Sequence, residues 1–410
     1  MKQGWEIKKL DDLCQIELGK TPYRGDKSFW DIEKETGNVW LSIADMLKTD
    51  GDVVSDSKEY ITNKAVKVSK AVKKGTLLLS FKLTLGRLAF AGKDLFTNEA
   101  IAALTIRNEK VIDKYFLYQF LSFLDWDAAS EGDVKVKGKT LNKAKLKEIE
   151  FHFPKSLLEQ QRIITILEEA FASIAKARTN AEQNLKNSKE LFESYLQDVF
   201  NTKLQGSQFE TLDNLCELIV DCEHKTAPTQ ETGYPSIRTP NIGKGVLILE
   251  GVNRVSEKTY KEWTRRAIPQ TDDLILAREA PAGNIAVIPE NVNVCLGQRT
   301  VLIRPKKHKI ISKFLAYLVL SNDVQKQLLS HSTGATVEHI NMKDIRAFKI
   351  YNLSALPEQQ TIVRRLDALS AETKKLEAIY QEKINHLEEL KKSILQKAFS
   401  GELTNQLVLS

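Results

Sequence analysis

The chain holds many residue types suited to chemistry, but none in an arrangement that makes or breaks covalent bonds. Glu131-Gly132-Asp133-Val134-Lys135-Val136-Lys137-Gly138-Lys139-Thr140 resembles a phosphate-cradling loop, yet five residues rather than four separate its glycines and no strand-loop-helix nucleotide fold follows. The six histidines are scattered, and His224 near Cys222 reads as loop or core rather than as a metal ligand. No metal site and no set of nucleophile, base and orienting group can be assembled, so no catalytic residue is assigned. What remains is non-covalent: long hydrogen-bond donors grouped in turn-rich segments. These are Lys20, Thr21 and Arg24 in a GKTPYRGDK loop, Lys82 and Arg87 around a glycine turn, and Lys135, Lys137 and Lys139 in VKVKGK. Further along come His224, Lys225 and Thr226, then Arg238 and Asn241, Arg278 beside Pro281-Ala282-Gly283, and Thr336 and His339. Their chemistry is hydrogen bonding and charge pairing with an acceptor-rich partner.

The elements that must position these donors occur twice. Leu157 to Leu204 is an almost glycine-free helical pattern starting through Glu159-Gln160-Gln161, and Leu356 to Leu403 is a second one starting through Glu358-Gln359-Gln360. A constant offset of 199 matches Leu167 with Leu366, Leu191 with Leu390, Phe200 with Phe399 and Leu204 with Leu403, the mark of a duplicated element. The globular segments repeat as well: LDDLC ending at Cys14 returns as LDNLC ending at Cys216, and Tyr118 and Asn142 match Tyr317 and Asn341. Between about residues 15 and 110 the halves need gaps and share few identities, so one framework carries two different sets of loops. The expected organisation is a globule over 1–155, a long helix over 156–205, a second globule over 206–354 and a second helix over 355–405. Short alternating apolar runs divided by turn residues make each globule a mixed α/β body with a twisted sheet, so the fold class is α+β.

Both helices carry a heptad seam. In the first it runs through Ile164, Leu167, Phe171, Ile174, Leu185, Phe192 and Tyr195, with Arg178 and Ser188 as polar members. In the second it runs through Ile362, Leu366, Leu369, Leu376, Leu387, Leu390 and Ile394, with Thr373 and Lys383. About 45 residues make a rod of roughly 65 Å, too long for a globule of this size to bury, so each rod is the natural partner of the other. The seam alone leaves parallel and antiparallel pairing open.

Composition sets the outer bounds. The 410 residues are 42% hydrophobic and 28% charged, ordinary for a soluble protein of two or more domains. There is no signal-peptide run and no stretch near the roughly 20 apolar residues that span a membrane, which places the chain in the cytoplasm with no membrane partner. The four cysteines are too few and too scattered for a disulfide framework, and they read as core residues. The net charge of +6 divides as +4 over 1–155, −1 over 156–205, +3 over 206–354 and 0 over 355–410. A polyanion would therefore meet the globules rather than the rods, although a solvated surface of mixed charge accounts for so small an excess equally well.

Two variable globules, each ending in a Glu-Gln start to a long helix, resemble the specificity subunit of type I restriction-modification systems. The carriers are Lys139-Thr140-Leu141-Asn142 leading through Phe153-Pro154 to Glu159-Gln160-Gln161, and Glu338-His339-Ile340-Asn341 leading through Pro357 to Glu358-Gln359-Gln360. Gly75-Thr76-Leu77-Leu78-Leu79-Ser80 and the closing Leu395-Gln396-Lys397-Ala398-Phe399-Ser400-Gly401-Glu402-Leu403 add to it. The first half departs from the second in setting Pro154 further from its Glu-Gln pair than Pro357 stands. The resemblance spans essentially the whole chain. It implies two target recognition domains, each reading half of a split asymmetric sequence in double-stranded DNA, and helices paired as an antiparallel coiled coil with pseudo-twofold symmetry. It implies two modification subunits that methylate adenine with S-adenosylmethionine, and restriction subunits that use ATP with Mg, while this chain binds no cofactor. Fittingly, the sequence has no Asn or Asp followed by Pro-Pro-aromatic and no GxGxxG loop, so methyl transfer belongs to a partner. The donor clusters become the candidates for half-site reading, since Arg and Lys pair with guanine and Asn or Gln with adenine; for any one of them, a phosphate contact or plain solvation is the commoner role. The competing reading is a coiled-coil scaffold whose globules bind proteins.

Overall fold

The computed structural model describes residues 3–48, 52–82, 84–130, 134–135, 138–139, 141–201, 208–279, 282–329, 340–351 and 353–404. It contains two compact units, Met1–Asn180 with Lys383–Ser410, and Ala181–Glu382. Each is a mixed sheet body on a stretch of both long helices, which run from Leu157 to Asn201 and from Leu356 to Ser400.

In the first unit a five-stranded sheet has the order Cys14–Leu18, Ile101–Ile106, Leu77–Ser80, Leu88–Ala91, Val53–Val54, with only the last pair parallel. The run Leu77-Leu78-Leu79 is apolar throughout because the sheet lies between two cores. Leu77 and Leu79 face a core that includes Ile163, Ile164 and Leu167, whereas Leu78 faces Val39, Leu41 and Leu95. A second sheet, Glu59–Tyr60, Val39–Leu41, Leu95–Thr97 and Ala71–Val72, covers that far side. Asp113 caps the helix Lys114–Phe123 by accepting from the amides of Tyr115 and Phe116 at 2.7 and 3.3 Å.

The second unit repeats the plan. Its five strands run Cys216–Asp221, Thr300–Pro305, Leu274–Ala277, Ile285–Val287, Gly245–Val246, again with only the last pair parallel. Leu274 and Leu276 face the helix side and Ile275 and Ala277 the far side, where Arg254–Val255, Tyr234–Ile237 and Cys295–Leu296 form the covering sheet.

Within the first unit the start of the first long helix packs beside the end of the second: Ile163, Ile164 and Leu167 share a core with Leu395, Ala398 and Phe399. Arg178 pairs with Glu388 at 2.6 Å. Within the second unit the ends exchange roles, Leu196 and Phe200 meeting Val363 and Leu366. The pairing is therefore antiparallel. Ile164, Leu167 and Leu366 are buried, and Phe171, Ile174, Leu185, Phe192, Tyr195, Ile362, Leu369, Leu387 and Ile394 are half-buried. Leu376 and Leu390 are corrections to the expected seam, being 36% and 48% exposed. The buried positions there are Thr373, Ile384 and Leu395, spaced by 11 rather than 7.

All four cysteines are unpaired and buried. Burial pushes the Cys14 and Cys216 thiols up to about 12 and Cys295 to about 11. A thiol-exchange reagent at pH 8 should find almost no reactive cysteine in the native protein and all four in guanidinium; a rapid native reaction would contradict this packing.

Candidate nucleic-acid interface

In the first unit three loops meet at one end of the main sheet's strands. Gly19 and Lys20 donate to the carbonyls of Ile101 and Thr97 at 3.1 and 2.9 Å, and a Cβ on Gly19 would lie 2.2 Å from the carbonyl oxygens of Thr97 and Asn98, so only glycine fits. Phe81 donates to Ala100 at 3.1 Å and Leu141 donates to Phe81 at 3.0 Å, which joins the turn after Leu77–Ser80 to the loop after Leu95–Thr97. The Thr21 hydroxyl donates to the Glu99 carboxylate. That hydroxyl, with smaller contributions from Lys82 and Arg24, holds the Glu99 carboxyl below the usual range. Lys20 is exposed. The Lys82 ammonium lies 5.4 Å from the Phe81 ring centre.

Arg24 sits 4.1 Å from the Trp30 ring and 4.8 Å from Trp40, with its guanidinium forked onto the Glu59 carboxylate. It is a braced cation rather than a free one. Arg87 is exposed on the second limb of the turn, where Gly86 at φ +76° passes directly against Trp126. Lys135 and Lys139 fall in the hairpin Val134–Lys135 and Gly138–Lys139, whose side chains, like Lys137, lie outside the described residues.

The second unit builds the same strand end from different residues. His224 Nε2 stands 3.3 Å from Asp221 Oδ2, the Thr226 hydroxyl donates to Gln298 Oε1 at 3.3 Å, and Gln298 Nε2 donates to the His224 carbonyl at 3.3 Å. Lys225 and Arg238 are exposed, and Arg238 runs beside Gly297, where a Cβ would be 2.5 Å from Arg238 Cγ.

One expected reader is corrected. Arg278 is 6% exposed; its Nε donates to the Ile340 carbonyl at 3.0 Å and its Nη1 to Asp221 Oδ2 at 2.5 Å. It occupies the position of buried Phe81 in the first unit and brings its counter-charge with it. Asn241 uses its amide within its own turn, accepting from the Arg238 amide at 3.1 Å and donating to the Ile248 carbonyl at 3.3 Å. Thr336 and His339 lie outside the described residues.

The structure also brings in residues outside the expected clusters: Glu99, Gln298 and Arg299, which pairs with Glu279 at 2.8 Å. Glu99 and Gln298 carry the same 199 offset as the helices, a signal hidden by the gapped surroundings. Arg299 has φ +67°, a left-handed conformation that nothing in its sequence announces. Among the described residues no group of three or more His, Cys, Asp or Glu is placed to hold a metal, and no helix is long and apolar enough to cross a membrane.

This duplicated architecture matches the family described as the type I restriction modification DNA specificity domain twice, over residues 2–185 and 206–387. The chain belongs to that family and acts as a DNA specificity subunit, non-catalytic in itself. The MjaIX specificity subunit of Methanocaldococcus jannaschii is 24% identical, with 98% of this chain and 94% of that one aligned. The EcoBI specificity subunit of Escherichia coli is 23% identical over 75% of this chain and 69% of its own. In fold, the chain resembles the crystal structure of the HsdS subunit from Thermoanaerobacter tengcongensis with a TM-score of 0.60 and 17% identity, covering 98% of each. A chain from a study of type I system assembly and conformational transition gives a TM-score of 0.74 at 17% identity, covering 98% of this chain and 99% of that one.

Proposed function

We propose that the two globules, residues 1–155 and 206–354, each read one half of a split, asymmetric sequence in duplex DNA, and that the helices at 156–205 and 355–405 fix the unspecified gap between the halves. Two modification subunits dock on this chain and methylate adenine with S-adenosylmethionine; restriction subunits join them and use ATP with Mg. Lys20, Thr21, Lys82 and Arg87 in the first unit, and His224, Lys225, Thr226 and Arg238 in the second, are the described residues that meet DNA. Lys135, Lys137, Lys139, Thr336 and His339 extend the same surfaces. Arg24 and Arg278 shape the loops instead, and Asn241, braced in its own turn, extends the surface of the second unit.

The observation that supports this best is the repeated strand order with unlike loops at the same end of the strands in both sheets. A shared frame with different loop chemistry is what two different half-sites require, because side-chain donors at base edges carry the sequence information. The test is co-expression with an adenine methyltransferase subunit, followed by mapping of methylated sites. Replacing residues 1–155 by the corresponding globule of a relative should change one half of the methylated sequence and leave the other half intact. An unaltered sequence overturns the proposal, as does an absence of sequence-selective DNA binding by the complex at about 150 mM salt, where non-specific phosphate contacts are screened.

A further inference from the structure

The two units agree on one address outside the donor clusters. In each, a parallel strand pair ends just before the loop at the interface edge: Leu41 pairs with Thr97, and Ile237 with Leu296. The carbonyl of Leu41 then accepts from Asn98 at 3.0 Å, and that of Ile237 from Gly297 at 2.7 Å. Glu99 and Gln298, the next residues, therefore share one register position. Each is held by a threonine from the opposing loop, Thr21 for Glu99 and Thr226 for Gln298.

Those loops differ in length. Gly19 and Cys222 are anchored alike, donating at 3.1 Å to the matched carbonyls of Ile101 and Thr300. Thr21 lies two residues past the first anchor and Thr226 four past the second. Two unlike loops that deliver a hydroxyl to the same side-chain oxygen indicate that the oxygen's placement matters, not merely that the frame was copied.

We propose that Glu99 and Gln298 are base-reading residues, one for each half of the DNA target. This rests on the half-site reading above. With one lone pair of its carboxylate taken by Thr21, Glu99 accepts from an exocyclic amino group, cytosine N4 or adenine N6, and repels guanine O6 and N7 and thymine O4. A carboxylate among phosphates lowers overall affinity, so its place beside Lys82 and Thr21 makes sense as discrimination. Gln298 presents both an acceptor and a second amide hydrogen, the pattern that complements adenine N6 and N7.

The test maps methylated sites for the complex of this chain with its adenine methyltransferase subunit, in wild type, Glu99→Gln, Glu99→Ala and Gln298→Glu. Glu99→Gln keeps an acceptor for Thr21, so the loop remains braced. Both Glu99 variants should change base preference at one position in one half of the target, with a disfavoured base there gaining about tenfold, while the other half is untouched. Gln298→Glu should do the converse. Wild-type preference at every position in all three variants overturns the assignment while leaving the half-site reading in place. A wild-type complex with no two-part sequence overturns that reading, and this assignment with it. If a variant loses methylation, its binding to duplexes altered base by base decides: uniform weakening at all positions overturns the assignment.

Discussion

Gln160→Leu is expected to destabilise the first unit by about 3 kcal/mol, and Gln359→Leu the second by a similar amount, in urea unfolding followed by far-UV circular dichroism. Both glutamines are 0% exposed. Gln160 Oε1 accepts from the Asp113 amide at 2.8 Å, while its Nε2 donates to the carbonyls of Val111 at 2.9 Å and Pro154 at 2.8 Å. Gln359 repeats this with the Ile311 amide at 2.9 Å and the carbonyls of Lys309 and Ser354 at 3.0 and 2.8 Å. One amide thus ties the first turn of a long helix both to the segment before the packed helix of its globule and to the segment that leads into the long helix. Leucine has nearly the right volume but orphans one donor and two acceptors, each costing about 1–3 kcal/mol when left buried. Gln160→Glu should be no milder, because a carboxylate has no hydrogen for the two carbonyls and adds a buried charge. A loss below about 1 kcal/mol for the leucine variants would mean that water replaces the amide.

That clamp shows how far the sequence could be read. The repeated Glu-Gln-Gln was visible as a helix start, and the antiparallel pairing was available through the family resemblance. Which of the three residues turns inward was not visible, since that depends on where the chain before the helix runs. Strands such as Leu77–Ser80 and Leu274–Ala277 were legible as apolar runs, because both faces of the sheet are covered. The heptad count misleads at Leu376 and Leu390, because the side chains buried in that stretch are Thr373, Ile384 and Leu395.

The candidate interface is legible in the sequence only as clusters of donors. Residue type identifies a long donor, but whether it is free depends on partners distant in sequence: Glu59 for Arg24 and Asp221 for Arg278, 35 and 57 positions away. A charge count favours cations, and so it concealed Glu99, whose interest comes from its register against Gln298. Gapped loops hid that register until the strand pairing revealed it.

Arg278→Met supplies the second large effect, an expected loss of about 3 kcal/mol from the second unit. The penalty comes less from the lost attraction than from what remains. Asp221, with its side chain 18% exposed, would keep a charge facing a largely desolvated space, and the Ile340 carbonyl would lose its donor. Partial access to water and the imidazole of His224 at 3.3 Å keep the figure at the low end for a broken buried pair. Arg278→Lys should recover part of the loss, since an ammonium restores the charge but cannot bridge Asp221 and Ile340 with one rigid fork. The double variant Asp221→Asn with Arg278→Met should be more stable than Arg278→Met alone, because it removes the stranded charge; strict additivity of the two single changes would show that the groups do not interact. Phe81 fills this position in the first unit with no counter-charge, so the ion pair is not a requirement of the fold. Its consequence is local: it fixes Asp221, and through it the start of the loop that carries His224, Lys225 and Thr226. In the double variant the second half-site should therefore weaken even where stability is largely regained, an outcome that a purely structural pair would not produce.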